Sequence, residues 1–354
     1  EPAWREAGVI SDLMQQDPDP RAATPFRTVV LLLREPSHLV IGVRCDDPTP
    51  ARIRVRGQRR DVAQDNDDHL AFVFDTFGDG RNGYVFLVNA DGARTDGLLS
   101  NGAEQVSVDW DGLWEARTRR TAQGWTAEIR IDARTLGFSG DRDTWGFNVE
   151  RYVASSRLTL RWAGLTRDAR LVDLQRAGQL LGMAGLQQGR GLEFVPYALA
   201  SAKRGYGVDE TDSEAGFDLR YHVTPELLGV LTVNTDFAET EVDAAQVNLT
   251  RFPLLYPEKR AFFLEGSNLF QYSLGLSETF IPFYSRRVGL VAGVPVPIDA
   301  GAKIVGRQGP WSFAVLDTRT AAIDELPATN LFAGRATYDV TPELRIGALA
   351  TDGD

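Results

Sequence analysis

The chain has 354 residues, 43% of them hydrophobic and 25% charged, which is enough for two domains with ordinary cores. Its formal net charge of −11 argues against a nucleic-acid binder, which needs a basic face to neutralise phosphates, and leaves a membrane protein open, because net charge bears on solubility rather than fold. No run of about 18 apolar residues occurs, so no membrane-spanning helix is predicted.

Strand alternation dominates the first half. Leu39-Val40-Ile41-Gly42-Val43-Arg44-Cys45 is a strand-like run that should bury the single cysteine as an inert thiol, and one cysteine permits no disulfide within the chain. Residues 68–75 and 83–89 read as two further strands, joined by the glycine- and Asx-rich turn Thr76-Phe77-Gly78-Asp79-Gly80-Arg81-Asn82. Residues 113–119 and 125–131 form a hairpin across Ala122-Gln123-Gly124. In its second arm Trp125, Ala127, Ile129 and Ile131 point one way and Thr126, Glu128 and Arg130 the other, the mark of a half-buried strand. Residues 145–152 follow as another strand. Short strands with turns every 8–12 residues or so predict an all-β, immunoglobulin-like or jelly-roll β-sandwich over residues 1–185.

Residues 164–190 read as a connector, and near Leu192 the texture changes. Tyr221-His222-Val223-Thr224-Pro225-Glu226-Leu227 returns as Tyr338-Asp339-Val340-Thr341-Pro342-Glu343-Leu344. Proline fixes φ at the second turn position, so each Thr-Pro-Glu marks a hairpin tip. Before the first copy, Phe217, Leu219, Tyr221 and Val223 share one face and Asp218, Arg220 and His222 the other. Strands of about 9–11 residues with one apolar and one polar face are the weak signature of outer-membrane barrels, although a soluble sheet gives the same pattern. Residues 190–354 are therefore predicted to form the first strands of an antiparallel β-barrel. About seven strands are too few to close a membrane barrel, so the natural protein is expected to continue past Asp354. A long excursion at about 236–298, rich in aromatics, is expected to fold back as a plug or cap.

Further residues carry a resemblance. Trp4-x-x-Ala7, Asn66-Asp67-Asp68-x-Leu70, Asp75-Thr76-x-x-Asp79-x-Arg81-Asn82-x-Tyr84-x-Phe86-x-x-Asn89, Gly92-Ala93-Arg94-x-Asp96, Trp110-Asp111-Gly112-x-Trp114 and Gly124-Trp125-x-Ala127-Glu128 resemble a family 9-like carbohydrate-binding module. Val233-Asn234-Thr235-Asp236-Phe237-Ala238-Glu239, Gln246-Val247-Asn248-Leu249-Thr250-Arg251-Phe252-Pro253, Pro257-Glu258-Lys259-Arg260-x-Phe262-Phe263-Leu264-Glu265, Phe283-Tyr284-Ser285-Arg286-Arg287 and Ala300-Gly301-Ala302-Lys303 resemble the uncharacterised outer-membrane-type barrel domain that follows such modules in bacterial envelope proteins. The resemblance implies export to the outer membrane or periplasm of a Gram-negative bacterium, and it implies no particular chemistry.

A sugar site needs flat aromatic faces for C–H surfaces and polar groups for hydroxyls. Trp110, Asp109 and Asp111, in a turn-like stretch, are the leading ligand-facing candidates. Trp162, after a strand end, is placed to line a cleft, and Arg81 and Asn82 stand beside the acidic hairpin. Trp114, Trp125 and Trp145 read as core. Asp65, Asp67, Asp68, Asp75 and Asp79 give the oxygen density that suits structural Ca²⁺, which the resemblance also allows; the alternative is a solvated turn. Asp236, Glu239, Glu241 and Asp243 read as one side of a strand, with acid–base chemistry as the alternative. Glu258, Lys259, Arg260 and Glu265 look like an ion-pair network that locks the fold-back. His38, His69 and His222 show no metal or triad spacing, and no nucleophile elbow, P-loop or dinucleotide fingerprint is present.

Three readings stay open. The sandwich binds a glycan or similar polar ligand and the barrel anchors it; or the protein is a membrane-associated glycoside or ester hydrolase; or it is an envelope scaffold with a protein partner.

Overall fold

A computed structural model describes residues 2–61, 64–100, 105–188, 191–205, 208–234, 258–270, 281–291, 294–322, 327–341 and 344–353. The fold is all-β, with the chain divided into two units, Glu1–Gly189 and Arg190–Asp354. No helix among the described residues is long and apolar enough to cross a membrane.

The first unit holds β1 (Gly8–Ser11), β2 (Met14–Asp17), β3 (Thr28–Arg34), β4 (His38–Asp46), β5 (His69–Asp75), β6 (Gly83–Asn89), β7 (Arg94–Ser100), β8 (Gln105–Ser107), β9 (Trp114–Thr121), β10 (Gly124–Asp132), β11 (Thr144–Val153), β12 (Leu158–Arg161) and β13 (Gly178–Leu181). They make two antiparallel sheets. The smaller runs β1-β3-β4-β10-β9, and the larger β2-β12-β11-β5-β6-β7-β8, with β13 also pairing β11. Alternation decides which side chains lie between them. Ile41, Cys45, Trp125 and Ile129 of the smaller sheet meet Phe72, Phe74, Phe86 and Phe147 of the larger in one buried cluster. The alternation read in residues 125–131 is the one observed. Cys45 is fully buried, and desolvation pushes its thiol up to about 11, so it is an unreactive packing group.

The sandwich encloses one charge that ties its sheets together. Arg151 of β11 is buried, and its Nη1 donates to the carbonyl of Arg27 (3.3 Å), the Thr28 hydroxyl on β3 (3.1 Å) and the Asp46 carbonyl on β4 (3.0 Å). Its Nη2 lies 4.0 Å from the buried carboxylate of Asp47.

The second unit is a seven-stranded antiparallel meander. Its strands are β14 (Leu192–Gly205), β15 (Val208–Thr224), β16 (Leu227–Val233), β19 (Ile298–Gln308), β20 (Trp311–Thr320), β21 (Asn330–Asp339) and β22 (Arg345–Asp352), while β17 (Leu290–Val291) and β18 (Val294–Pro295) form a separate ribbon. Thr-Pro-Glu marks the β15–β16 and β21–β22 connections, residues 342 and 343 of the second lying outside the described ones. The expected barrel appears as an open sheet with β14 and β22 as its edges, and no closed barrel is formed. Two short helices from the excursion, α1 (Ala261–Leu264) and α2 (Ser267–Phe270), pack Phe262, Phe263 and Phe270 against Val230, Val305, Ala314 and Leu316 on one face of the sheet. Asp236, Glu239, Glu241 and Asp243 lie outside the described residues.

Removing the Arg151 guanidinium leaves Asp47 buried and three oxygens short of a donor. Arg151→Met should lower the unfolding free energy by about 3–5 kcal/mol, read from the chemical-denaturation midpoint. A loss below about 1 kcal/mol would show that the inter-sheet tie is dispensable.

Candidate functional site

The two outer faces of the sandwich are not equivalent. On the larger sheet, Leu171 and Leu174 of the following loop pack onto Ala71, Val73, Val85 and Leu99 and cover part of it. The smaller sheet's outer face is open and holds a groove of about 450 Å³, lined by Trp4, Val29, Leu31, Gly42, Arg44, Arg117, Thr118, Arg119, Thr126 and Glu128, among others.

Register explains the lining. Where β10 sends Trp125, Ala127 and Ile129 inward, it must send Thr126 and Glu128 outward. Pairing places Leu31, Gly42, Glu128 and Arg117 in one cross-strand row, and Val29, Arg44, Thr126 and Arg119 in the next. Trp4, from the short 3-10 turn Pro2–Glu6, covers the first row at Gly42. A Cβ on residue 42 would stand 2.9 Å from the indole, so only glycine seats the ring this close. Trp4 is half-buried, leaving part of a flat apolar surface at the groove. Arg44 is held by Asp46 at 3.3 Å, an exposed pair of little strength. The guanidinium groups of Arg117 and Arg119 have no partner among the described residues.

The residues predicted from sequence lie elsewhere. Trp110 is 3% exposed. It packs on Tyr84 at 5.1 Å and edge-on to Phe86 at 6.2 Å, so it is core and offers no stacking face. Gly112 permits this burial, because a Cβ there would meet the Trp110 ring at 2.8 Å. Asp109 is half-buried beside it, and Asp111 is exposed and paired with Arg60 at 2.6 Å. Trp162 lies on Gly178 and against Phe147 at 6.0 Å, a partly buried edge filler. Arg81 and Asn82 build the turn, both amides donating to Asp79 Oδ1 (2.8 and 2.9 Å) and the Asn82 amide group to Oδ2 (2.8 Å).

The five aspartates do not form one cluster. Asp67 and Asp68 precede β5, while Asp75 ends it and Asp79 follows, so the two groups stand roughly 20 Å apart at about 3.3 Å per residue. Asp65 is exposed. Asp67 accepts from the Arg56 amide (3.0 Å) and the Asn89 side chain (3.1 Å), and Asp68 from the Arg54 amide (2.8 Å). Among the described residues no three His, Cys, Asp or Glu side chains are gathered to hold a metal ion. The structure thus places the expected Ca²⁺ ligands in two separate sets of loop-tying carboxylates.

In the second unit the seven-stranded sheet has opposite chemistry on its two faces. One row crosses all seven strands through Leu192, Tyr221, Gly229, Ile304, Val315, Gly334 and Ala350. It carries no charge, yet Leu192, Tyr221, Ile304 and Val315 are all exposed. Trp311 and Tyr338 pack edge-on at 4.9 Å on the same face. The row displaced by one residue runs Glu193, Arg220, Val230, Lys303, Leu316, Ala333, Thr351, on the face that the helices cover. Lys303 is buried there and donates to the carbonyls of Phe262 and Glu265, while Arg335 donates to the Leu269 carbonyl at 2.8 Å. The predicted fold-back lock is visible at Glu258, which receives two bonds from Arg260 at 2.8 Å and one from Ser285 at 2.6 Å.

Comparison with known proteins adds two kinds of likeness. Residues 190–299 match a domain of unknown function (DUF5916). Structural neighbours are carbohydrate-binding proteins. A Bacteroides uniformis ATCC 8492 protein, provisionally described as carbohydrate-binding, shares 12% identity and a TM-score of 0.43, covering 50% of this chain and 87% of its own. A family 9 carbohydrate-binding module from Caldicellulosiruptor kristjanssonii in complex with cellotriose shares 14% identity and a TM-score of 0.38, covering 51% and 85%. In complex with glucose the values are 16% and 0.37, covering 51% and 86%. No curated protein matches the chain.

The acidic hairpin yields a pH prediction. Burial, then the neighbouring Asp79 charge, raises Asp75 from 3.8 to about 6, against the lowering effect of the Gly80 and Asp79 amides. The folded state therefore holds this proton more tightly than the unfolded chain, and stability should rise as pH falls from 7 through 6 towards 4, by up to about 3 kcal/mol from this group. Asp75→Asn should flatten that rise in denaturation midpoints taken at pH 7 and pH 5. An unchanged slope would show that Asp75 is ionised in the folded protein throughout.

Proposed function

We propose that this is a Gram-negative envelope protein whose sandwich unit binds a saccharide without catalysis and whose second unit contributes to the wall of an outer-membrane β-barrel. The observation that carries the membrane assignment is the uncharged exposed row across all seven strands, opposed by charged side chains under helices α1 and α2. A water-soluble sheet hides its apolar face, whereas a barrel wall turns that face to lipid and keeps polar groups inside. β19, β20 and β21, of 11, 10 and 10 residues, have the length of membrane-spanning strands.

The binding assignment rests on the groove. An aromatic surface flanked by hydrogen-bonding side chains suits a pyranose, whose C–H face is apolar and whose rim carries hydroxyls. Glu128 is the one carboxylate among the described lining residues, whereas glycoside hydrolysis ordinarily employs two.

Two substitutions test the two halves. Val315→Arg should lower folding stability in lipid vesicles by about 2–4 kcal/mol, with Thr351→Arg on the opposite face tolerated. Equal effects from both, or a chain that stays monomeric in buffer without lipid or detergent, would overturn the membrane assignment. Trp4→Ala should weaken binding to a saccharide by on the order of 30-fold in calorimetry. Undiminished binding would place the site elsewhere.

A further inference from the structure

We infer that the groove on the smaller sheet selects acidic saccharides, its arginines reading a sugar carboxylate while Trp4 supports the ring; this rests on the saccharide-binding reading above and narrows it. The lining carries three arginines, Arg44, Arg117 and Arg119, against the single carboxylate of Glu128. That balance is local, because the whole chain has 38 basic and 49 acidic residues.

Their placement follows from register. Arg44, Thr126 and Arg119 stand side by side on β4, β10 and β9, so the two arginines flank a threonine across roughly 10 Å of sheet. Arg117 lies two residues from Arg119 on the edge strand, about 7 Å along the same face. The three side chains thus bracket one site above Thr126, beside the Trp4–Gly42 seat in the neighbouring row.

The pairing state of these groups points the same way. On the same edge strand Arg120 is matched with Asp91 at 2.7 Å, and on β4 of the same sheet Arg44 is matched with Asp46 at 3.3 Å. Arg117 sits directly across from Glu128 in the ladder, yet no ion pair joins them. Arg117 and Arg119 are left with planar, forked donors and no acceptor among the described residues. A carboxylate accepts two parallel bonds from one such fork, a geometry that neutral hydroxyls do not offer, and the selectivity is electrostatic and salt-sensitive.

The test uses the 354-residue chain in detergent and calorimetry against uronate oligosaccharides (galacturonate, glucuronate and mannuronate series), each beside its methyl-esterified counterpart of equal length. The acid form should bind at least tenfold more tightly than its ester, and the preference should shrink as salt is raised. Arg117→Gln combined with Arg119→Gln should reduce the preference to near unity. Trp4→Ala should weaken acid and ester alike. Circular dichroism confirms that each variant is folded. Equal affinity for acid and ester would overturn the acidic-sugar inference and leave the saccharide reading standing. Binding of neither form in any series would overturn both.

Discussion

The two-residue period of the β-strand is the constraint on which both units rest. A strand cannot place consecutive side chains on one face, so choosing a core also chooses what is shown outside. In the sandwich, burying Trp125, Ala127 and Ile129 compels Thr126 and Glu128 to face outward. The antiparallel ladders then bring Arg117, Arg119, Gly42 and Arg44 beside them. The groove is the reverse side of the core, and its geometry is as rigid as the sheet that carries it.

The same constraint gives the second unit its opposite polarity. Shifting the pattern by one residue on a seven-stranded sheet exchanges apolar side chains for ionisable ones. That exchange makes the covering helices necessary. Lys303, Arg335 and Arg220 face a region where bulk water is partly excluded, and buried donors need acceptors. The ends of α1 and α2 supply carbonyls to Lys303 and Arg335, and Glu193 supplies a carboxylate to Arg220 at 3.1 Å. Phe262, Phe263 and Phe270 then fill the remaining apolar gaps.

Local pattern was legible in the sequence, and long-range placement was not. The alternation at residues 125–131 and 217–223 and the paired Thr-Pro-Glu turns are each encoded within a few residues, and the observed strands and connections follow them. Where the ligand candidates come to lie depends on contacts that local reading cannot reach. Asp109-Trp110-Asp111-Gly112 has the composition of an exposed turn, but Gly112 gives the indole room to pack inward against Tyr84 and Phe86. The aspartates of residues 65–79 are close in sequence, and β5 then carries them to opposite ends of a strand. Trp4 and Gly42 are 38 positions apart, and neither is unusual alone; the signal was a glycine interrupting an otherwise apolar strand opposite an unassigned tryptophan.

The chain treats buried and exposed arginine in two different ways. Arg151 is closed inside the sandwich, where its position is fixed by three oxygens on the opposing sheet and its charge by Asp47. Such a group is strongly coupled to the fold, since loss of either partner strands a charge in low dielectric. Arg117 and Arg119 project from an edge strand into water, where leaving a guanidinium unpaired costs little. Leaving those two forks unpaired on an exposed edge strand gives up almost no stability, and on the acidic-saccharide inference it keeps both donors available for a carboxylate from solution.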